Sequence, residues 1–377
     1  IRQFKSKYDS ITVMVAPILW LDTIQEFKTK PLQNAVRSLN QQGLTADVIL
    51  CRTTKSIPDS IMAKVGSLIG VSNDNIFAAP DVETIYQVPI ELYNQNVDDT
   101  IADLLTLKRS ACRIQKYREH VNKYTDNHLP AVKIGVFGKY ANNAVEAYLS
   151  LKEALIHAGL ANDCKVDIHW IKAEDLEEGG SIADKFKSLD GIIVPGGFDG
   201  RGVEGKIKAI KYARENKIPF LGICLGLQCA VIEYARNVCK LPNSNSVEFD
   251  KNCTNPIVHF VEGQEKLTKK SSNMRLGAYD CDLLKGSLAY NLYGKKNISE
   301  RHRHRYEVNN KYVEILCDKG LIVSGVNPGT NLVEMIELEN HPFFIATQSH
   351  PEFKSRLLEP APLFKGLVAA AKKIKNG

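Results

Sequence analysis

The stretch FLGICLGLQ, residues 220–228, sets Cys224 between two glycines at the end of an apolar run. A strand that runs into G-x-C-x-G and then a helix has the logic of a nucleophile elbow. Small residues flank the reactive side chain because the turn is sharp and larger neighbours would clash. The helix that follows points its amino end at the sulfur, where backbone N–H groups without intrahelical partners favour a thiolate and can hold a developing oxyanion. Taken alone, the pattern also fits a buried, inert cysteine in a glycine-rich turn.

Two further stretches supply partners. FFIATQSHPEF (343–353) is an apolar strand followed by His350 and, two residues on, Glu352. An imidazole there would take the thiol proton, and a carboxylate behind it would fix the tautomer and stabilise the imidazolium. VPGGFDGRG (194–202) again ends a strand-like run. Successive glycines at the carboxyl edge of a parallel sheet expose backbone N–H groups to a ligand, which makes Gly197 a candidate oxyanion donor. The overlapping GRGVEGKI (200–207) has the spacing of a P-loop but carries Ile207 where Ser or Thr would hold Mg²⁺, so a phosphate cradle is rejected.

These residues need a scaffold that brings strand ends together. From 130 to 230 strand-like and helix-like stretches alternate: AVKIGVFG (131–138), AVEAYLSLKEALIHAG (144–159), KVDIHWI (165–171), GIIVPGG (191–197), KIKAIKYARENK (206–217) and PFLGIC. That is the βαβ pattern of a buried parallel sheet, with Gly159 expected as a left-handed helix cap. Residues 11–52 hold another such unit, ITVMVAPIL, a helix from about Pro31 to Gln42 ending at Gly43, and DVILCR. The expected class is α/β, with two doubly wound domains of mainly parallel sheet, the first incomplete. The boundaries are 1–105, a polar, partly helical linker 106–130, and 131–377.

A chain of 377 residues, 44% hydrophobic and 24% charged, suits two soluble domains. Its nine cysteines form no CxxC pair and no disulfide framework, which favours a reducing cytoplasm. No apolar run is long enough to cross a bilayer. The net charge of +6 is dispersed, which gives little support to a nucleic-acid groove and leaves phosphorylated small molecules open.

With these stretches placed, the chain resembles the CTP synthase family over nearly its whole length, and residues 131–377 resemble that family's class I glutamine amidotransferase domain. The motifs PGGFDGRGVEGKIKAIKYARENKIPFLGICLGLQ, IEYARNV, NSNSVEF, MRLGA, ERHRHRYEVNN and SHPEF stand in the family's order. Residues 1–105, with EFKTKPLQNAVRSL, DVILCR and DVETIYQVP, resemble the later part of its synthetase domain. The resemblance implies that Cys224 attacks the glutamine amide, His350 protonates the departing ammonia and Glu352 supports the histidine. It implies glutamine contacts at Gly197, Leu225, Gly226, Leu227, Gln228, Glu248 and Arg305. UTP and CTP contacts would fall at Lys28, Thr29, Lys30, Pro31, Leu32, Gln33 and Lys64, and ATP contacts at Asp81 and Val82. It further implies Mg²⁺ and ATP in the complete enzyme and none for the glutaminase step. L-glutamine and UTP would be substrates, GTP an activator and CTP an inhibitor, in a cytoplasmic homotetramer.

The family's amino-terminal P-loop and acidic Mg²⁺ ligands do not occur in these residues, and the stretch from Ile1 to Lys28 is about three residues shorter than the family pattern. The expectation is a chain with no metal ligands of its own that retains the glutaminase half. Smaller departures are Pro80, Asp199 and Ser349. The run RHRHR (301–305) is expected as a solvated strand face with one functional arginine. Two other readings stay open: another class I glutamine amidotransferase or γ-glutamyl hydrolase, and a non-catalytic assembly or regulatory form.

Overall fold

A computed structural model describes residues 1–109, 114–139, 147–198, 200–260 and 274–376. Asp199 and the first residues of the expected helix 144–159 therefore lie outside the described residues. Two compact units divide at Thr125/Asp126, inside the stretch expected as linker, part of which forms a helix, Ile114–Thr125.

The first unit is built on three parallel strands in the order β1-β2-β3: β1 (Val13–Pro17), β2 (Val48–Thr53) and β3 (Ile76–Pro80). The central strand places Val48, Ile49 and Cys51 fully out of water. Helix α1 (Lys30–Gln41) begins at Thr29 with Pro31 in its first turn, where proline's missing N–H costs nothing, and Gly43 follows at φ +69°. Leu32 and Val36 are its buried face. Helix α2 (Asp59–Ile69) ends on Gly70, a left-handed cap.

The second unit is a nine-stranded sheet with helices on both faces. Five strands are parallel: β4 (Ala131–Gly138), β5 (Lys165–Lys172), β6 (Gly191–Val194), β7 (Phe220–Ile223) and, from the far end of the chain, β12 (Phe344–Thr347). Strands β6, β7 and β12 are buried at every residue, as strands covered on both faces must be. The alternation of β6 feeds two cores. Ile192 and Val194 pack toward α4 (Val203–Glu215) and α5 (Leu225–Asn237), while Ile193 packs toward α3 (Leu149–Ala161) and α6 (Pro362–Asn376).

The α/β class read from the sequence is what the unit shows. Four antiparallel strands extend the sheet beyond β12: β8 (Arg275–Leu283), β9 (Asn297–His304), β10 (Ile322–Val326) and β11 (Val333–Glu337), giving the order β9-β8-β10-β11-β12-β7-β6-β4-β5. One local expectation fails. Gly159 does not cap α3 but lies within it, buried, where a Cβ would stand 2.8 Å from the Cys164 carbonyl oxygen. Close packing against the start of β5, not positive φ, is what requires glycine there.

Candidate active site

Strands β7 and β12 lie side by side with Ile223 opposite Thr347, so both chains leave the sheet at the same edge. Cys224 follows Ile223 with φ +52° and ψ −101°, a conformation that costs a non-glycine residue about 1–3 kcal/mol. The elbow holds because its neighbours have no side chains. A Cβ on Gly222 would lie 2.7 Å from the Ala346 Cβ and 2.9 Å from the Gly226 carbonyl, and one on Gly226 would lie 2.1 Å from the Val194 oxygen. Helix α5 starts at Leu225, so the first-turn N–H groups gather beside the sulfur.

Past Thr347 the chain reaches His350, whose N–H donates to the Arg301 carbonyl at 2.7 Å. Its Nδ1 is 2.7 Å from Glu352 Oε1. The carboxylate can only accept, so Nδ1 carries the proton and Nε2 is left for the thiol. Phe353 stacks on the ring at 5.3 Å. Burial works against a charged imidazole here, but Cys224 and Glu352 outweigh it and push His350 up to about 10. The other buried thiols lack such partners: burial pushes Cys51 and Cys229 up to about 12, which makes them inert.

Gly196 and Gly197 close the site from the end of β6. A Cβ on Gly196 would meet His350 Cε1 at 2.7 Å, with His350 Nε2 and the Cys224 Cβ both 3.5 Å from the same point. Thiol and imidazole thus face one another across a glycine that cannot be replaced without moving the ring. A cavity of about 440 Å³ opens there, lined among others by Gly197, Phe198, Cys224, Arg303, His350 and Glu352. A narrow recess that shares Gly197, Phe198 and Cys224 with it is lined further by Gln228, Glu248 and Arg305. Of the residues expected around glutamine, Gly197, Gln228, Glu248 and Arg305 therefore share this recess, whereas Leu225 and Leu227 are buried in the first turn of α5 and Gly226 packs on the Val194 carbonyl. Leu227 is fully buried, so only its backbone can serve a ligand. Gln228 is held by the Tyr306 carbonyl at 3.0 Å and by Gln348 at 3.3 Å.

Sequence reasoning missed Gln348, whose Nε2 donates to Cys224 Sγ at 3.7 Å, and Arg303 in the cavity wall. Position two residues before the histidine was the available signal for Gln348. The run RHRHR is also not a solvated face throughout. Arg301 and Arg303 are exposed, but His302 and His304 are 3% and 2% exposed, because alternate residues of β9 point to opposite faces.

In the first unit, Lys28 Nζ pairs with Glu26 at 2.6 Å. Hydrogen bonding and charge from Lys28, with a smaller contribution from Lys64, lower the Glu26 pKa, so two of the three expected nucleotide-binding lysines act on one carboxylate. Leu32 is buried and offers only backbone. Asp81 is ion-paired with Arg52, and the pair and Val82 border a cavity of about 530 Å³ at the carboxyl ends of β2 and β3.

Residues 143–370 match the family model for class-I glutamine amidotransferase, and residues 1–107 match that for the CTP synthase N-terminus. A CTP synthase of Methanocaldococcus jannaschii is 48% identical over 379 residues, spanning 98% of this chain and 70% of its own. The chain belongs to the CTP synthase family. A second CTP synthase, from Geobacter metallireducens, is 45% identical over 98% of this chain and 69% of its own. Among solved structures, the glutaminase domain of Trypanosoma brucei CTPS, with acivicin bound, is 40% identical with a TM-score of 0.59, covering 64% of this chain and 94% of that domain. Membership in the CTP synthase family makes the chain a glutamine-dependent ligase of the amidotransferase type. An unrelated amidotransferase or γ-glutamyl hydrolase is not favoured, because residues 1–107 match the CTP synthase N-terminus as well. A purely non-catalytic form is not favoured either.

Proposed function

We propose that L-glutamine is hydrolysed at Cys224 and that the ammonia released aminates UTP to CTP. The observation that carries the glutaminase step is the convergence of Cys224, His350 and Glu352 on one cavity beside Gly196 and Gly197. The Cys224 sulfur adds to the side-chain amide carbon, and the oxyanion so formed is met by N–H groups of Gly197 and the first turn of α5. The His350 imidazolium gives its Nε2 proton to the amide nitrogen, the C–N bond breaks and ammonia leaves. Water, deprotonated by the now neutral His350, then cleaves the thioester to glutamate and restores the thiol. Glu352 keeps the ring oriented through both steps. Arg305 would grip the α-carboxylate and Glu248 the α-ammonium.

For the synthetase step, Lys28, Lys64 and residues 29–33 would meet UTP or CTP, and Asp81 and Val82 the adenine of ATP. ATP would phosphorylate the 4-oxygen of UTP, and ammonia would displace that phosphate. Among the described residues no group of three or more His, Cys, Asp or Glu could hold a metal ion. Mg²⁺ with ATP would serve the synthetase step in the complete enzyme, and the glutaminase step would need no cofactor. GTP as activator, CTP as inhibitor, homotetramers and a cytoplasmic location belong to the same reading. Among the described residues no helix is long and apolar enough to cross a membrane.

The test is Cys224→Ala in the intact chain. Glutamate release and labelling of this position by acivicin should both vanish, while the far-UV spectrum is unchanged. A variant that keeps its glutaminase rate overturns the assignment.

A further inference from the structure

The inward face of β9 rests on a buried ion cluster that the glutaminase chemistry does not use. Arg275, the first residue of β8, reaches Glu307 Oε1 with Nη1 at 2.8 Å and Glu334 Oε1 with Nη2 at 2.6 Å. His304 Nε2 is 2.7 Å from the same Glu307 oxygen, and His302 Nε2 is 3.6 Å from Glu334 Oε2. All five side chains are at least nine-tenths buried. Burial, with help from His304 and Arg275, pushes His302 down to about 2, so it is neutral. Burial would raise Glu307, but His304 and Arg275 outweigh it and hold it down, whereas burial wins at Glu334.

A buried ionic group of this kind adds little stability over apolar residues of the same volume, and its best-attested use is to fix one arrangement over others. Its connections show which arrangement. The residues alternating with the two histidines are Arg303, in the cavity wall, and Arg305, in the recess with Glu248. The Glu334 carbonyl accepts from the Gln348 N–H at 2.8 Å, and the Gln348 side chain donates to Cys224. Four strand segments, β8, β9, Tyr306–Val308 and β11, are thus tied together beside the recess, which His304 also lines.

We propose that the Arg275–Glu307–Glu334–His302–His304 cluster is a positioning device that locks the end of β9 so that Arg305 meets the α-carboxylate of bound glutamine. The cluster sets how tightly glutamine binds and not how fast the thiol reacts. This rests on the reading that glutamine occupies the site at Cys224.

Two variants of the intact chain test it, Glu334→Gln and His302→Gln, the second removing the 3.6 Å contact and the ring packing on Tyr279 and His304, with urea unfolding of each to show that it folds. Glutamate release gives KM and kcat. Peptide mass mapping of Cys224 gives its alkylation rate by the chloroketone analogue of glutamine and by iodoacetamide, which has no α-carboxylate. Loss of the charge-assisted Arg275 contact in Glu334→Gln predicts a KM about tenfold higher with kcat within about twofold, and His302→Gln, which alters a longer contact of a neutral ring, a smaller rise in KM. Chloroketone labelling should slow by the same factor, and iodoacetamide labelling should be unchanged. An unaltered KM in folded His302→Gln, or an equal loss with both reagents, overturns the proposal. Wild-type protein that iodoacetamide labels and the chloroketone does not would overturn the glutamine reading itself, and the proposal with it.

Discussion

Cys224 donates its backbone N–H to the carbonyl of Thr347 at 2.7 Å, the last rung of the ladder between β7 and β12. That bond fixes the starting point of both catalytic segments. The elbow turns into α5 from one strand, and three residues beyond Thr347 the other delivers His350. Parallel register, more than the loops, determines that nucleophile and base meet.

The glycines of the elbow should be intolerant in two distinguishable ways. In Gly226→Ala the new methyl meets the rigid Val194 carbonyl, so urea unfolding should show a loss of about 3 kcal/mol or more. In Gly196→Ala the methyl meets the His350 ring, which can tilt. Stability should fall by less, while glutamate release falls about a hundredfold, since an ångström of misplacement suffices for that.

His350 carries a pH signature. Its pKa in the folded state, about 10, exceeds the unfolded value near 6.5. The group therefore contributes stability that is fully present below pH 6.5 and is lost as pH rises through about 10. In Cys224→Ala the sulfur's contribution disappears while burial remains, so the His350 titration observed by NMR should move down. A titration that stays in place would mean that Glu352 alone sustains the shift.

Much of this was legible in the residues. The strands at 131–138, 165–171, 191–194 and 220–223 announce themselves as apolar runs between helical periods, and they fall where expected. The elbow was readable because G-x-C-x-G is a steric pattern, and sterics are local. The antiparallel wing was not. Its strands mix charged and apolar residues, and Arg275, Glu307 and Glu334 come from distant segments whose meeting depends on tertiary pairing. For the same reason RHRHR looked like a solvated run, since nothing local says that partners wait beneath its histidines. Gly159 misled because a glycine near a helix end suits both a cap and a close approach.

Behind the catalytic turn, His157 of α3 is 2.9 Å from Ser355 Oγ, and that hydroxyl accepts the Ala361 N–H at 3.1 Å. Ser355 ends the short 3₁₀ turn Pro351–Lys354 that carries Glu352. Burial, aided by Arg356, lowers His157 to about 4, so it is neutral when folded. Its contribution to stability is present above about pH 6.5 and is lost as pH falls through about 4. His157→Phe, which keeps a flat ring and loses the bond, should remove this acid sensitivity from the urea midpoint. It should also lower kcat, because the turn bearing Glu352 loosens.

Helices α4 and α5 are joined by an ion pair that should behave unlike a surface one. Glu233 is fully buried in α5, and Arg214 of α4 reaches it twice, Nε at 2.9 Å and Nη2 at 2.8 Å. The hydrogen bond to Glu233 leads the causes that raise the Arg214 pKa. Arg214→Met strands a carboxylate in the core and should cost about 3–5 kcal/mol in urea unfolding, whereas Arg214→Met with Glu233→Leu should recover most of that. Arg214→Lys keeps the charge but loses the two-pronged geometry, and should fall between. Because the pair lies among the residues that pack α5 and not at its amino end, labelling of Cys224 in each folded variant should match that of the wild type. A double variant as unstable as Arg214→Met alone would show that the helices need the ion pair itself and not merely a filled volume.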